Sequence, residues 1–215
     1  MTNPAEVIEV TAAGMTFRAC RFCAAHIQST AEAIPGLRII QPPWNLGVQA
    51  SAGTHDKCAC FDVYDLDLTW LDLQKRMRQL GWAAWYREAT PGLWGDHVHM
   101  VSLGCPAPKG VFVPGQINDY YDHRTGLAGH AQDPTWHPKN IDATVFDYPA
   151  WLEEHEMTPE QATQLATVLE TVTRLEQRGI RQTQRVMGGI RDIRAKTNDP
   201  AVLAKLDELE KALEA

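Results

Sequence analysis

His55 and Asp62 lie seven positions apart, and that interval constrains the fold more than any other feature of the chain. On one unbroken strand an odd interval places two side chains on opposite faces. His97 and His99 are two apart and emerge on the same face of a strand. For all four to meet, the small-residue stretch from Ser51 to Lys57 must be a loop that delivers His55. Asp62 must then come from a strand lying beside His97 and His99.

The remaining pattern supports such a sheet. Residues 59–68 carry Phe61, Val63, Tyr64, Leu66 and Leu68 in near alternation and read as a strand, as do 37–41, 82–87 and 97–103. Residues 70–80 place Leu71, Leu73, Met77 and Leu80 at helical spacing before Gly81. Residues 15–33 also read as a helix, through Met15, Ala19, Phe22, Cys23, Ile27 and Ala31, ended by Pro35-Gly36. A further helix is expected over 114–121, within an irregular Pro-, Gly- and His-rich stretch from 105 to 157. The expected class is α+β: a small antiparallel sheet with helices on one face, followed by an α-helical C-terminal tail.

The tail sets the expected division, residues 1–157 and 158–215. Thr158-Pro159-Glu160 is a helix start. Leu165, Val168, Leu169, Val172 and Leu175 then form an apolar stripe, extended by Val186, Ile190 and Ile193. Asn198-Asp199-Pro200 interrupts it, and Leu203, Leu206, Leu209 and Leu213 form a last stripe. The tail holds nine basic and nine acidic residues, so the net charge of −7 resides before it. A helical hairpin or coiled coil is expected, with a homo-oligomer through 158–215 as the reading that buries the stripe.

Charge and hydropathy exclude several classes. An acidic chain without clustered Lys and Arg is a poor partner for nucleic acid. No run of about 18 apolar residues is present, so no membrane insertion is expected. The N-terminus lacks the basic and apolar regions of a signal peptide, which points to synthesis in a reducing cytoplasm. The five cysteines, at 20, 23, 58, 60 and 105, are therefore not read as a disulfide framework. Cys20-x-x-Cys23 with Cys58-x-Cys60 admits two readings, a structural zinc site or buried free thiols.

His55, Asp62 and His99 are the ligand types of a catalytic zinc, which takes three protein ligands and keeps a fourth position open. Ser51 lies in no Gly-x-Ser-x-Gly context and is not a serine nucleophile. His123, His130, His137 and His155 follow no ligand spacing and read as surface or loop residues. Trp82, Trp85 and Trp94 read as core or cleft wall.

The context Ser51-Ala-Gly-Thr-His55, Asp62 and His97-Val-His99 resembles the zinc D-alanyl-D-alanine carboxypeptidase and L-alanyl-D-glutamate endopeptidase family. The likeness is greatest to members that serve as endolysins of phages infecting actinobacteria. It spans about residues 41–137, including a weaker Tyr, Arg, Gly, Leu pattern over 118–129. The resemblance implies that His55, Asp62 and His99 bind Zn²⁺ and that Gln41, Ser51 and Thr54 line the substrate cleft. It implies a general base at Asp96, three positions before the last ligand, with His97 the alternative. The partner implied is bacterial peptidoglycan, cut at a peptide bond of its stem or cross-link for host lysis. Such a protein is stored in the host cytoplasm and acts on the wall after release. Two other readings share these residues: a phage virion or attachment protein with a peptidase-like wall-binding domain, and a D,D-carboxypeptidase of free dipeptides. Cys58, Ala59 and Cys60 depart from the glycines and small aliphatics usual after the first histidine, and place thiols near the metal position.

Overall fold

The fold was obtained as a computed structural model, which describes residues 3–155, 163–164, 166–168, 170 and 183–214. The chain divides into two compact units, Met1–Tyr148 and Pro149–Ala215.

The first unit opens with a hairpin of β1 (Val7–Ala12) and β2 (Met15–Cys20). Ala13 and Gly14 make its two-residue turn, both at positive φ, 47° and 80°, the backbone that a tight antiparallel connection requires. Residues 15–20 were expected to be helical and are a strand instead. Phe17 and Ala19 are buried while Thr16 and Arg18 are exposed, a period of two. The helix α1 (Arg21–Ala33) starts only after Cys20, whose sulfur caps it by accepting from the Cys23 N–H.

The main sheet holds β3 (Leu37–Gln41), β4 (Cys60–Asp65), β5 (Trp82–Arg87) and β6 (His97–Ser102) in the order β3-β4-β6-β5. Every pairing is antiparallel. β4 ends before residue 68 because the Asp65 carboxylate accepts the Asp67 and Leu68 N–H groups at 2.8 and 2.7 Å, closing a turn. α2 (Trp70–Gln79) follows, capped by Thr69, and packs on β5. α3 (Val113–Tyr121) comes after β6.

Register assigns the two faces. Phe61, Trp82 and Met100 share one face, where Trp82 meets Phe61 edge-on and stacks on His26 of α1, and where Tyr86 stacks on Trp70 of α2. Asp62, Trp85 and His99 share the other. There α3 packs, with Tyr120 edge-on to Trp85 and Gln116 bonded to His99. Helices on a single face were expected; α1 and α2 lie on one face and α3 on the other. Trp85 needs an apolar cover there, and Tyr120 of α3 supplies part of it.

The wrap after α3 is tied to α2 and β5 by a buried cation. Arg78 of α2 donates to the Ala84 carbonyl at 2.8 Å and to the Asp133 carboxylate at 2.5 Å, and also reaches Thr135 and the Trp136 carbonyl.

In the second unit, α4 (Tyr148–His155) runs in from the first. α5 (Thr183–Arg194) and α6 (Pro200–Glu214) pack on one another. Asp199 caps α6 by accepting the Ala201 N–H at 2.8 Å, so Asn198-Asp199-Pro200 is the break and the restart. Ile190, Ile193, Val202, Leu206 and Leu209 are buried within the single chain. Arg194 bridges Asp207 and Glu210 at 2.7 Å each. The expected helix start at Thr158 and Leu165, Leu169, Val172 and Leu175 of the expected stripe lie outside the described residues. Among the described residues, no helix is long and apolar enough to cross a membrane.

Candidate metal centre

Three backbone elements bring the site together. Asp62 of β4 and His99 of β6 are register partners, so their side chains leave the sheet side by side. His55 arrives from the loop that follows a short 3₁₀ turn, Gln49–Ser51. That loop is held from outside: a Cβ at Gly110 would stand 2.5 Å from both the Gly53 and Thr54 carbonyl oxygens. Only a residue without a side chain permits this approach.

His55 Nε2 lies 3.3 Å from Asp62 Oδ1, and His99 Nδ1 lies 2.7 Å from the same oxygen. All three groups are buried, and their ligand atoms lie within 4.8 Å of one another. The far nitrogens have acceptors of their own. His55 Nδ1 faces the Pro42 carbonyl at 3.3 Å, and His99 Nε2 faces Gln116 Oε1 at 3.2 Å. Each far nitrogen thus has an oxygen to which it can donate, and a ring that carries its one proton there presents the near nitrogen as an acceptor. Two ring nitrogens and a carboxylate oxygen thus face one another, a donor set that a cation can draw together when the rings present their lone pairs. Outer oxygens that orient the rings are the usual support of metal-binding histidines. The residues fit a metal ion on the chemistry of the donor set alone.

The electrostatics agree. Burial by itself would raise the Asp62 carboxyl, but the His55 and His99 rings hold it below the usual carboxylate range, so it is anionic. Burial pushes His99 down, against the pull of Asp62, which favours its neutral form.

The centre lies in a cleft of about 850 Å³. Gln41, Ser51 and Thr54 line it, as do Asp96 and His97. Gln41 Nε2 donates to Ser51 Oγ at 2.6 Å, and Thr54 Oγ1 donates to the Ser51 carbonyl at 2.8 Å.

β6 begins at His97, and Asp96 just before it bonds to Tyr86, whose side chain leaves the sheet on the face opposite His99. Asp96 is exposed. Its Oδ1 accepts from the Tyr86 hydroxyl at 2.5 Å and from the Ala89 N–H at 3.1 Å, leaving Oδ2 open. These donors, Tyr86 foremost, hold its carboxyl below the ordinary range, and the same bond pushes the Tyr86 hydroxyl up to about 12. His97 donates from Nδ1 to the Gly95 carbonyl at 2.8 Å, and its Nε2 lies 3.8 Å from Asp62 Oδ1.

Sequence reasoning missed four residues of the cleft. Arg87, paired with His97 in register, is buried, which lowers it to about 10 and leaves it cationic at neutral pH. Gln116 orients His99, and Asp119 accepts from His130 at 2.8 Å at the cleft wall. Arg87 was readable only as a strand end, and Gln116 and Asp119 as polar residues of a short helix. His130 is a loop residue as expected but takes part in the cleft. His137, expected at the surface or in a loop, has a buried side chain against Tyr120, at 5.1 Å between ring centres. Trp82 is core, Trp85 is buried beside His99, and Trp94 lines the cleft.

A second buried group gathers Cys20, Cys23, Cys58 and Cys105. Cys60, expected beside Cys58, is not a member: the backbone turns at Ala59, φ 87°, and Cys105 takes the fourth place. Both clusters could hold a metal ion. No protein-family model, no curated protein and no solved structure matches the chain.

Proposed function

We propose that this protein is a zinc peptidase that hydrolyses a peptide bond in the stem or cross-link of bacterial peptidoglycan, in the manner of a phage endolysin. The observation that carries the reading is the convergence of His55 Nε2, Asp62 Oδ1 and His99 Nδ1 beside an open cleft that also holds Asp96 and His97. Two imidazoles and one carboxylate form a hard-to-borderline donor set with room for a fourth ligand, which suits zinc. A bound zinc supplies Lewis acidity, polarising the scissile carbonyl and acidifying a water.

The chain's own groups supply the rest. Asp96, anchored through Oδ1, takes the proton from the attacking water at Oδ2. Tyr86 and the Ala89 N–H fix the carboxylate, so little reorganisation is needed when the charge moves. His97, whose Nδ1 donates to the Gly95 carbonyl, is the alternative carrier, with Nε2 the atom that would return the proton to the leaving amine. Arg87 presents a buried cation to the cleft, suited to a carboxylate of an acidic stem peptide. Gln41, Ser51 and Thr54 offer hydrogen-bonding groups along the wall.

The cleft volume lies toward the upper part of the usual range for ligand sites, about 300–1,000 Å³. Leu93, Val111, Phe112 and Leu127 are exposed along its lining. A groove of this size and apolar rim suits an extended peptide segment better than a free dipeptide. The test is digestion of purified peptidoglycan with fragments read by mass spectrometry. New peptide amino and carboxyl ends that vanish with a chelator and return with zinc are expected. Binding to the wall without new ends would favour an attachment protein.

A further inference from the structure

We propose that Cys20, Cys23, Cys58 and Cys105 form a second metal site, a structural zinc held by four thiolates and separate from the centre at His55, Asp62 and His99. The four sulfurs lie within 4.8 Å of one another, all buried, and none is in a disulfide. Cys20 Sγ and Cys105 Sγ are 3.7 Å apart. Four sulfurs arranged tetrahedrally about zinc at about 2.3 Å stand about 3.8 Å from one another.

The backbone treats these sulfurs as acceptors. The Cys20 N–H points at Cys58 Sγ at 3.3 Å, and the Cys23 N–H at Cys20 Sγ at 3.4 Å. Such donors favour the thiolate, the form that binds metal. Cys20 and Cys23 come from the β2–α1 junction and Cys58 from the approach to β4. Cys105 follows Gly104 after β6, and Gly104 has φ 81°. The Cys58 N–H donates to the Pro108 carbonyl at 3.1 Å, and Lys109 Nζ donates to the Cys105 carbonyl, which closes the loop around the cluster. Four thiols packed together without metal would have only weak S–H contacts to offset burial, whereas a tetrathiolate zinc contributes folding free energy directly.

The site has a structural consequence. Cys58 is three residues after His55 and four before Asp62. The metal would pin the loop that presents His55 to β2, α1 and the end of β6.

The decisive experiment leaves the thiols intact. The variant His55→Ala/His99→Ala, loaded with zinc and freed of excess, should retain one zinc per chain where the wild type holds two. Its cobalt-substituted form should show thiolate-to-cobalt charge-transfer absorption. Absence of bound metal in that variant, or bound cobalt without thiolate absorption, overturns the proposal. Wild-type protein holding one zinc, lost on the histidine substitutions, would also overturn it while leaving the peptidase reading intact. In the wild-type background, Cys60→Ser should keep both metals.

Discussion

His26 provides a pH experiment whose size follows from its surroundings. Its ring is sandwiched between Trp82 at 3.8 Å and Phe146 at 4.6 Å between centroids. Nε2 donates to the Leu80 carbonyl at 2.7 Å, and Nδ1 accepts from the Ser102 hydroxyl at 2.8 Å. The neutral ring is thus fully paired, and burial drives its pKa from 6.5 to about 3, against a smaller opposing pull from the Leu80 carbonyl. Between those two values the unfolded chain binds a proton that the folded chain refuses. His26 therefore contributes stability that is complete above about pH 6.5 and is lost as the pH falls toward 3. Each unit is worth about 1.36 kcal/mol, so about 3 kcal/mol is lost by about pH 4.5 and about 5 kcal/mol below pH 3.

His26→Phe removes this titration. It also strands the Leu80 carbonyl and the Ser102 hydroxyl, at about 1–3 kcal/mol each. The variant should be less stable than wild type at about pH 7.5, and the gap should close by about 2–3 kcal/mol at about pH 4.5. Urea unfolding followed by tryptophan fluorescence at several pH values measures both curves. A gap that stays constant across that range, within about 0.5 kcal/mol, would refute the assignment of the acid loss to His26.

Other outcomes follow from the same contacts. Asp96→Asn should keep its metal and lose about 10²–10⁴ in hydrolysis rate; if it stays active while His97→Ala does not, the base is His97. Gly110→Ala drives a methyl into the Gly53 and Thr54 carbonyls next to His55 and should weaken metal binding by about 10–100-fold; a chelator competition showing unchanged affinity would contradict this. Arg78→Ala leaves the Asp133 carboxylate without its buried cation and should cost about 3–5 kcal/mol in denaturant unfolding; a cost under about 1 kcal/mol would show that the wrap over 133–136 does not depend on the pair.

The readable parts of the chain were those where local pattern and tertiary context agree. β5 and β6 are short runs buried almost throughout, and α2 carries its own cap, so their places followed from local sequence. His55, Asp62 and His99 were readable only as a set, from the joint context of Ser51-Ala-Gly-Thr-His55, Asp62 and His97-Val-His99 and the resemblance it carries; the spacing alone did not select them. β2 was misread because Met15, Ala19, Phe22 and Cys23 straddle a strand and a helix joined without a break, so their spacing imitates one helix. Ala13-Gly14 was the missed turn signal. Cys105 has no partner within 40 residues of sequence, so its place beside Cys20 depends on tertiary structure alone. The faces of the sheet could not be assigned to helices because α3 is short and is positioned by Tyr120 and Gln116, contacts that leave no periodic trace.

Both the metal centre and the proposed cleavage of wall peptide depend on His99. The most direct measurement compares wild type and His99→Ala for zinc per chain and for peptide fragments released from purified peptidoglycan. The variant should hold one zinc fewer per chain and release none of the new peptide ends. Equal zinc content in the two proteins, or undiminished release by the variant, would contradict the central claim.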